Sequence, residues 1–134
     1  MGLEAWLWLA NGLGFGAQNA GELLAAGPGG ANGVLASIYQ PEIQGLLAPA
    51  QAKRFAATKP QNFAPQLEAA RREEVLPLAY DDPDYPELLR LTPAPPPVLY
   101  VKGDKRLLNG RLTLGFVGTR TPSSYGVEAV RLVG

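Results

Sequence analysis

The chain has 134 residues, room for one modest domain or two very small ones. Twelve Lys and Arg balance twelve Asp and Glu, so net charge singles out no class of partner. There is no Cys and no His, which excludes a disulfide framework, zinc sites built on thiolate or imidazole, and Ser-His-Asp or Cys-His catalysis.

The opening MGLEAWLWLANGLGFG is apolar but too short to span a membrane. It carries Glu4 and no basic region, so it reads poorly as a signal peptide, and a cytoplasmic location is expected. Leu3, Trp6, Leu7 and Ala10 fall at helical spacing, and Gly12 and Gly14 are expected to end that helix. Trp6 and Trp8 point to different sides of it, which leaves one of them free to be exposed unless both lie in a small core. Leu13-Gly14-Phe15-Gly16 followed by Ala20 and Leu23 matches a helix-hairpin-helix pattern. The glycines permit the tight turn, Ala20 lets two helices approach, and Leu23 and Leu24 fill the core. Gly12 stands where such a pattern usually has an apolar residue. Hairpins of this kind hold a DNA phosphate with help from Lys or Arg, but the first basic residue here is Lys53, so a packing module is the favoured reading.

Gly27-Pro28-Gly29-Gly30 reads as a loop, Ala31–Ile38 as a short helix, and Pro41–Leu47 as a further turn. Pro49–Thr58 is a helix with Lys53 and Arg54 on its polar side, broken at Lys59-Pro60. Phe63–Glu74 is an amphipathic helix that buries Phe63, Leu67 and Ala70 and leaves Arg71, Arg72, Glu73 and Glu74 solvated. Residues 1–74 therefore read as an all-α module.

The pattern changes at Val75. Val75–Ala79 is a short strand that Pro77 assigns to a sheet edge. Tyr80–Pro86 is a turn, and its Asp81, Asp82 and Asp84 serve that turn rather than a metal. Pro86–Leu91 is a short helix, and Thr92–Pro97 is a stiff extended connector. Val98–Gly103 is a strand, Lys105–Leu112 a basic loop or short helix, Thr113–Val117 a second strand, and Tyr125–Val133 the start of an amphipathic helix. This order opens an α/β domain with a parallel or mixed sheet.

Charge is unevenly spread. Residues 1–52 hold Glu4, Glu22 and Glu42 and no Lys or Arg. Residues 60–100 are net acidic, whereas 101–134 hold Lys102, Lys105, Arg106, Arg111, Arg120 and Arg131 against Asp104 and Glu128. The basic third contains LGFVGTRTPSSYG, residues 114–126, which hints at an anionic ligand there. The stretch lacks the glycines of a dinucleotide fingerprint and the Lys of a Walker loop. Gly118 permits close backbone approach, Thr119 and Ser124 offer hydroxyls, Arg120 can hold a phosphate bidentately, and Tyr125 offers a face for a base. Alternatively, Arg120 pairs with a carboxylate elsewhere and Ser123 or Ser124 simply caps the helix. Spacing alone leaves both readings open.

Three ordered motifs add to this. Asp84-Tyr85-Pro86-x-x-Leu89, then Pro97–Asp104 (PVLYVKGD), then Phe116–Arg120 with Tyr125-Gly126 make the chain resemble the DNA-processing protein A (DprA/Smf) family. The resemblance implies a SAM-like or helix-hairpin-helix module at 1–74 followed by the start of an extended Rossmann domain at 75–134. It implies a single-stranded DNA-binding protein of natural transformation that helps load a RecA-type recombinase. It implies no enzyme activity, no metal and no cofactor. The family's DNA pocket carries over onto Gly118, Thr119 and Arg120, with Ser124, Tyr125 and Gly126 completing the loop. Full-length members are implied to be homodimers; their self-association surface and second Gly-rich turn are not found here, so this chain is expected to be an amino-terminal fragment that binds DNA weakly or not at all alone. The readings kept beside it are a Rossmann-like binder of a nucleotide or phosphate metabolite, and a helical protein-interaction module.

Overall fold

The computed structural model describes residues 2–110 and 112–133. Met1, the Arg111 counted in the basic third, and Gly134, where the reading of the last domain ends, lie outside the described residues.

Helix α1 (Gly2–Leu13) is the axis of the fold. Its sequence is apolar on most sides, with Glu4 and Asn11 the polar exceptions, so most of it must be covered. Trp6 and Trp8 are both buried, at 3% and 2% exposure, so neither is a surface residue. Trp8 stacks at 4.8 Å on Phe55 and donates its indole N–H to the Thr58 carbonyl at 3.1 Å, while Trp6 lies 6.3 Å from the Tyr80 ring. Around α1 lie α2 (Ala20–Ala26), α3 (Ala31–Ser37), α4 (Pro41–Gln44), α5 (Pro49–Ala57), a 3-10 turn (Pro60–Phe63) and α6 (Ala64–Arg72). Ala20, Leu23, Ala31, Val34, Ile38 and Ile43 complete the core.

The helix does not stop at Gly12. It continues to Leu13 and ends where Gly14 takes a φ of +80° and donates its amide to the Ala10 carbonyl at 3.0 Å. Gly12 has a packing role instead: a Cβ there would come within 1.9 Å of the Phe55 ring. Glycine in a helix interior costs about 1 kcal/mol against Ala, and the close seating of Phe55 offsets it.

The sheet differs from expectation. Strands β1 (Leu76–Ala79) and β2 (Val98–Val101) pair antiparallel, with Leu76 opposite Val101 and Ala79 opposite Val98. A parallel crossover requires a dozen or more residues, usually a helix packed across the sheet. The connector here holds only the four-residue α7 (Glu87–Arg90) and a proline run that bends at Thr92–Ala94 and again at Pro97 where a stiff extended connector was expected, and it turns the chain straight back. Pro77 sits on an edge, as expected, since each strand of a pair has one free side. Ala79 joins the core around α1, and Tyr80 and Val98 pack against it, so sheet and helices share one apolar interior.

Thr113–Val117 does not form a strand. A strand needs a neighbour for its backbone groups, and among the described residues this segment has none. After a 3-10 turn (Lys105–Asn109), the chain runs exposed from Leu112 to Ser123 and then forms α8 (Ser124–Val133).

Candidate nucleic-acid interface

The expected phosphate loop is built from the end of this exposed run and the start of α8. Gly118, Thr119 and Arg120 are exposed, Ser124 is the first residue of α8, and Tyr125 is 82% exposed. Gly126 is half-buried in the same first turn. Ser123 caps the helix: its hydroxyl accepts from the Gly126 amide at 3.2 Å and its carbonyl from the Val127 amide at 3.1 Å. Capping thus falls to Ser123 and leaves the Ser124 hydroxyl uncommitted. The rest of the first turn points positive dipole toward whatever lies beyond it.

Arg120 has no carboxylate within ion-pair distance among the described residues. The alternative in which it only neutralises an acid therefore has no partner to name. Gly118 differs from its expected role. It does not lie at positive φ, and a Cβ there would meet nothing within 4 Å, so no close backbone approach depends on it in this chain.

The basic third is less free than its composition implies. Lys105 Nζ lies 2.6 Å from Asp84 and 3.9 Å from Asp82. The hydrogen bond to Asp84 raises the Lys105 ammonium above its usual range. Arg106 donates to both carboxylate oxygens of Asp104, and that contact holds the Asp104 carboxyl below its usual range. Lys102, Arg120 and Arg131 have no such partner among the described residues. The Asp82 and Asp84 carboxylates are likewise occupied, and no group of three potential metal ligands lies together among the described residues.

In the turn between α1 and α2, Gly14 and Gly16 are both at positive φ. Arg54 does not serve a ligand there. Its Nε and Nη2 donate to the Gly12 and Leu13 carbonyls at 3.1 and 2.9 Å, capping the end of α1. Gln51, Asn19 and the Leu46 carbonyl close the loop from below. With its nearest cation spent on α1, the hairpin has no charge to offer a phosphate.

Sequence reasoning missed the cluster behind the first motif. Tyr85 is fully buried and donates its hydroxyl to the Pro96 carbonyl at 2.8 Å. Burial, with a smaller contribution from Tyr80, pushes its phenol up to about 12, against an opposing pull from Arg90. The Arg90 guanidinium stacks on Tyr80 and Tyr85 at 5.3 and 5.4 Å and donates to the Tyr80 and Asp82 carbonyls. The Asp-Tyr-Pro motif is thus a scaffold that ties the turn to the core. The one available signal was an Arg five residues after a Tyr in an otherwise acidic stretch.

Residues 77–134 match the family described as DNA recombination-mediator protein A. Over that stretch the chain is similar to this family. Protein Smf of Synechocystis is 48% identical over 59 residues, covering 42% of this chain and 15% of the relative. The DNA processing protein DprA of Bacillus subtilis is 39% identical over 67 residues, covering 49% of this chain and 23% of the relative. The chain therefore spans less than a quarter of the length of these relatives. No solved structure matches it. Both the Tyr85 scaffold and every residue of the Gly118–Gly126 loop fall inside the family stretch; α1 to α6 fall outside it.

Proposed function

We infer that this chain belongs to a recombination mediator that binds single-stranded DNA and hands it to a RecA-type recombinase. Gly118, Thr119, Arg120, Ser124, Tyr125 and Gly126 form the phosphate-and-base contact. Arg120 supplies charge and a bidentate fork, the hydroxyls and first-turn amides supply neutral donors, and Tyr125 supplies a stacking face. Such binding needs no covalent step, metal or cofactor, so the role is not enzymatic. The protein works in the cytoplasm, where the DNA and the recombinase are. Residues 1–74 are read as a SAM-like or helix-hairpin-helix module and 75–134 as the opening of an extended Rossmann-like domain, and homodimerisation belongs to the full-length protein.

The observation that carries this reading is Arg120, an exposed cation without a carboxylate partner among the described residues, directly ahead of a capped helix inside the family stretch. One site alone makes few phosphate contacts, so affinity in this chain is weak. The test is fluorescence anisotropy with an unstructured thymidine oligonucleotide, over a salt series, in a chain extended to the length of its relatives. Arg120→Ala is expected to weaken binding and to flatten the salt slope by about 1. Unchanged affinity overturns the phosphate role. Equal competition by a mononucleotide favours the nucleotide-binder reading instead. The helical module is a packing or protein-docking unit on this account, because Arg54 is consumed by α1 and Phe15 at the hairpin tip is fully exposed.

A further inference from the structure

The two edges of the β1–β2 pair are not alike. The Tyr80 amide donates to the Pro97 carbonyl at 2.9 Å, and this bond sets the phase of the ladder. In an antiparallel pair that phase repeats every two residues. Leu78 and Leu99, and Leu76 and Val101, therefore face each other through their backbone groups. Pro77, Ala79, Val98 and Tyr100 turn theirs outward.

On the β1 side the outward row is nearly empty. Pro77 has no N–H, and the Ala79 carbonyl accepts the Asp82 amide at 3.0 Å. On the β2 side Val98 and Tyr100 each present an N–H and a C=O. None of these four groups has a hydrogen-bond partner among the described residues; the one bond at Tyr100 is made by its hydroxyl, to Gln66. Such a row is a template for another strand.

The surroundings say what kind of strand fits. A groove of about 430 Å³ reaches Val98 and is walled by Ala10, Leu13, Ala17, Ala20 and Pro96. No charged side chain lines it, and Phe15 at its rim is fully exposed. An apolar extended run suits this wall, and sheets covered on both faces are built from such runs. The pair also lies almost wholly within the stretch that carries the Gly118–Gly126 loop, and the relatives matched there are much longer than the stretch they share.

We propose that the β2 edge docks a further strand of the same protein, one that belongs to its Rossmann-like sheet and lies outside residues 1–134, with β1 as the outer border of that sheet. The proposal rests on the Rossmann-like reading of residues 75–134. Val98 and Tyr100 join the helical body to the sheet through main-chain hydrogen bonds, and the groove beside Val98 receives an apolar side chain of the incoming strand. The helical module and the DNA-binding sheet are then one body, with β2 as the seam.

Amide hydrogen exchange tests this in the 134-residue chain and in a chain extended to the length of its relatives. The Val98 and Tyr100 amides are expected to gain about tenfold or more protection in the longer chain, while Ala79 keeps the same protection in both. A paired variant reads the same edge by stability. Tyr100→Pro repeats what Pro77 does directly opposite: it removes an outward N–H and no bond of the ladder. Tyr100→Phe is its control, because it also loses the contact with Gln66 but keeps the N–H. Measured against that control, Tyr100→Pro should lower the melting midpoint about 2–4 °C further in the longer chain than in the 134-residue chain. Equal shifts in both chains, or unchanged exchange at Val98 and Tyr100, overturn the proposal. Protection already present there in the 134-residue chain also overturns it, since the occupant is then Thr113–Val117 or, if protection rises with concentration, a second copy. If the longer chain gains no protected strand amides at all, the Rossmann-like reading falls and the proposal with it. If it gains them while Val98 and Tyr100 stay unprotected, the proposal alone falls.

Discussion

Residues 2–109 and 112–133 have similar shares of apolar residues and opposite fates. In the first region Leu9, Leu23, Ala31 and Val34 are completely shielded from water. In the second, Leu112, Leu114, Phe116, Val117, Val130 and Leu132 are all more than half exposed. Hydrophobicity alone does not bury a side chain; it needs a complementary surface in the same fold. The helical module and the β1–β2 hairpin supply one to each other, whereas the segment that the sequence marks as a strand has no described neighbour. The region tied most tightly to the core is the structural one, and the region bearing the proposed site is the least tied.

That contrast is open to mutation. The largest effect is expected at Trp8→Ala, which removes the centre of the core and should cost about 3–5 kcal/mol in chemical denaturation. Phe116→Ala, a similar truncation in the exposed segment, should stay within about 0.5 kcal/mol in the same measurement. Comparable losses from both would erase the distinction. Arg54→Ala should follow, at about 1.5–3 kcal/mol, because it strips charged donors from the Gly12 and Leu13 carbonyls. Tyr85→Phe keeps the ring and loses only the bond to Pro96, so about 1 kcal/mol is expected.

Tyr85 also sharpens the comparison by pH. Its phenol ionises at about 12 in the folded chain, against an ordinary value of 10.0. Between these values the unfolded chain has lost the proton and the folded chain has kept it. Stability is therefore constant in this respect below pH 10 and falls as pH rises toward 12. Ultraviolet titration should show a late-ionising phase that Tyr85→Phe removes, and denaturation midpoints of Tyr85→Phe should fall less steeply over the same window.

Much of the fold was legible in the sequence, because local chemistry decided it. Gly14, Gly16 and Ala20 marked the turn after α1, Lys59-Pro60 falls just past the end of α5, and Pro77 marked an edge strand. What sequence missed depended on distant partners. Gly12 continues its helix because Phe55, from another helix, packs on it. Arg54 caps a helix more than forty residues earlier. The antiparallel pairing follows from how Tyr85, Arg90 and Pro96 fold the connector back. Around the proposed site, the capped helix start was readable from the motif, while the pairing of Lys105 and Arg106 with acidic residues was not.

The central claim, that Gly118–Gly126 is where single-stranded DNA meets this chain, is tested most directly by nuclear magnetic resonance. An isotopically labelled chain titrated with a thymidine oligonucleotide reports weak contacts residue by residue. The account predicts amide shifts concentrated at Gly118, Thr119, Arg120 and the first turn of α8, diminishing with added salt, with the α1–α2 hairpin unmoved. Shifts centred on the hairpin around Phe15, with the Arg120 loop silent, would contradict it.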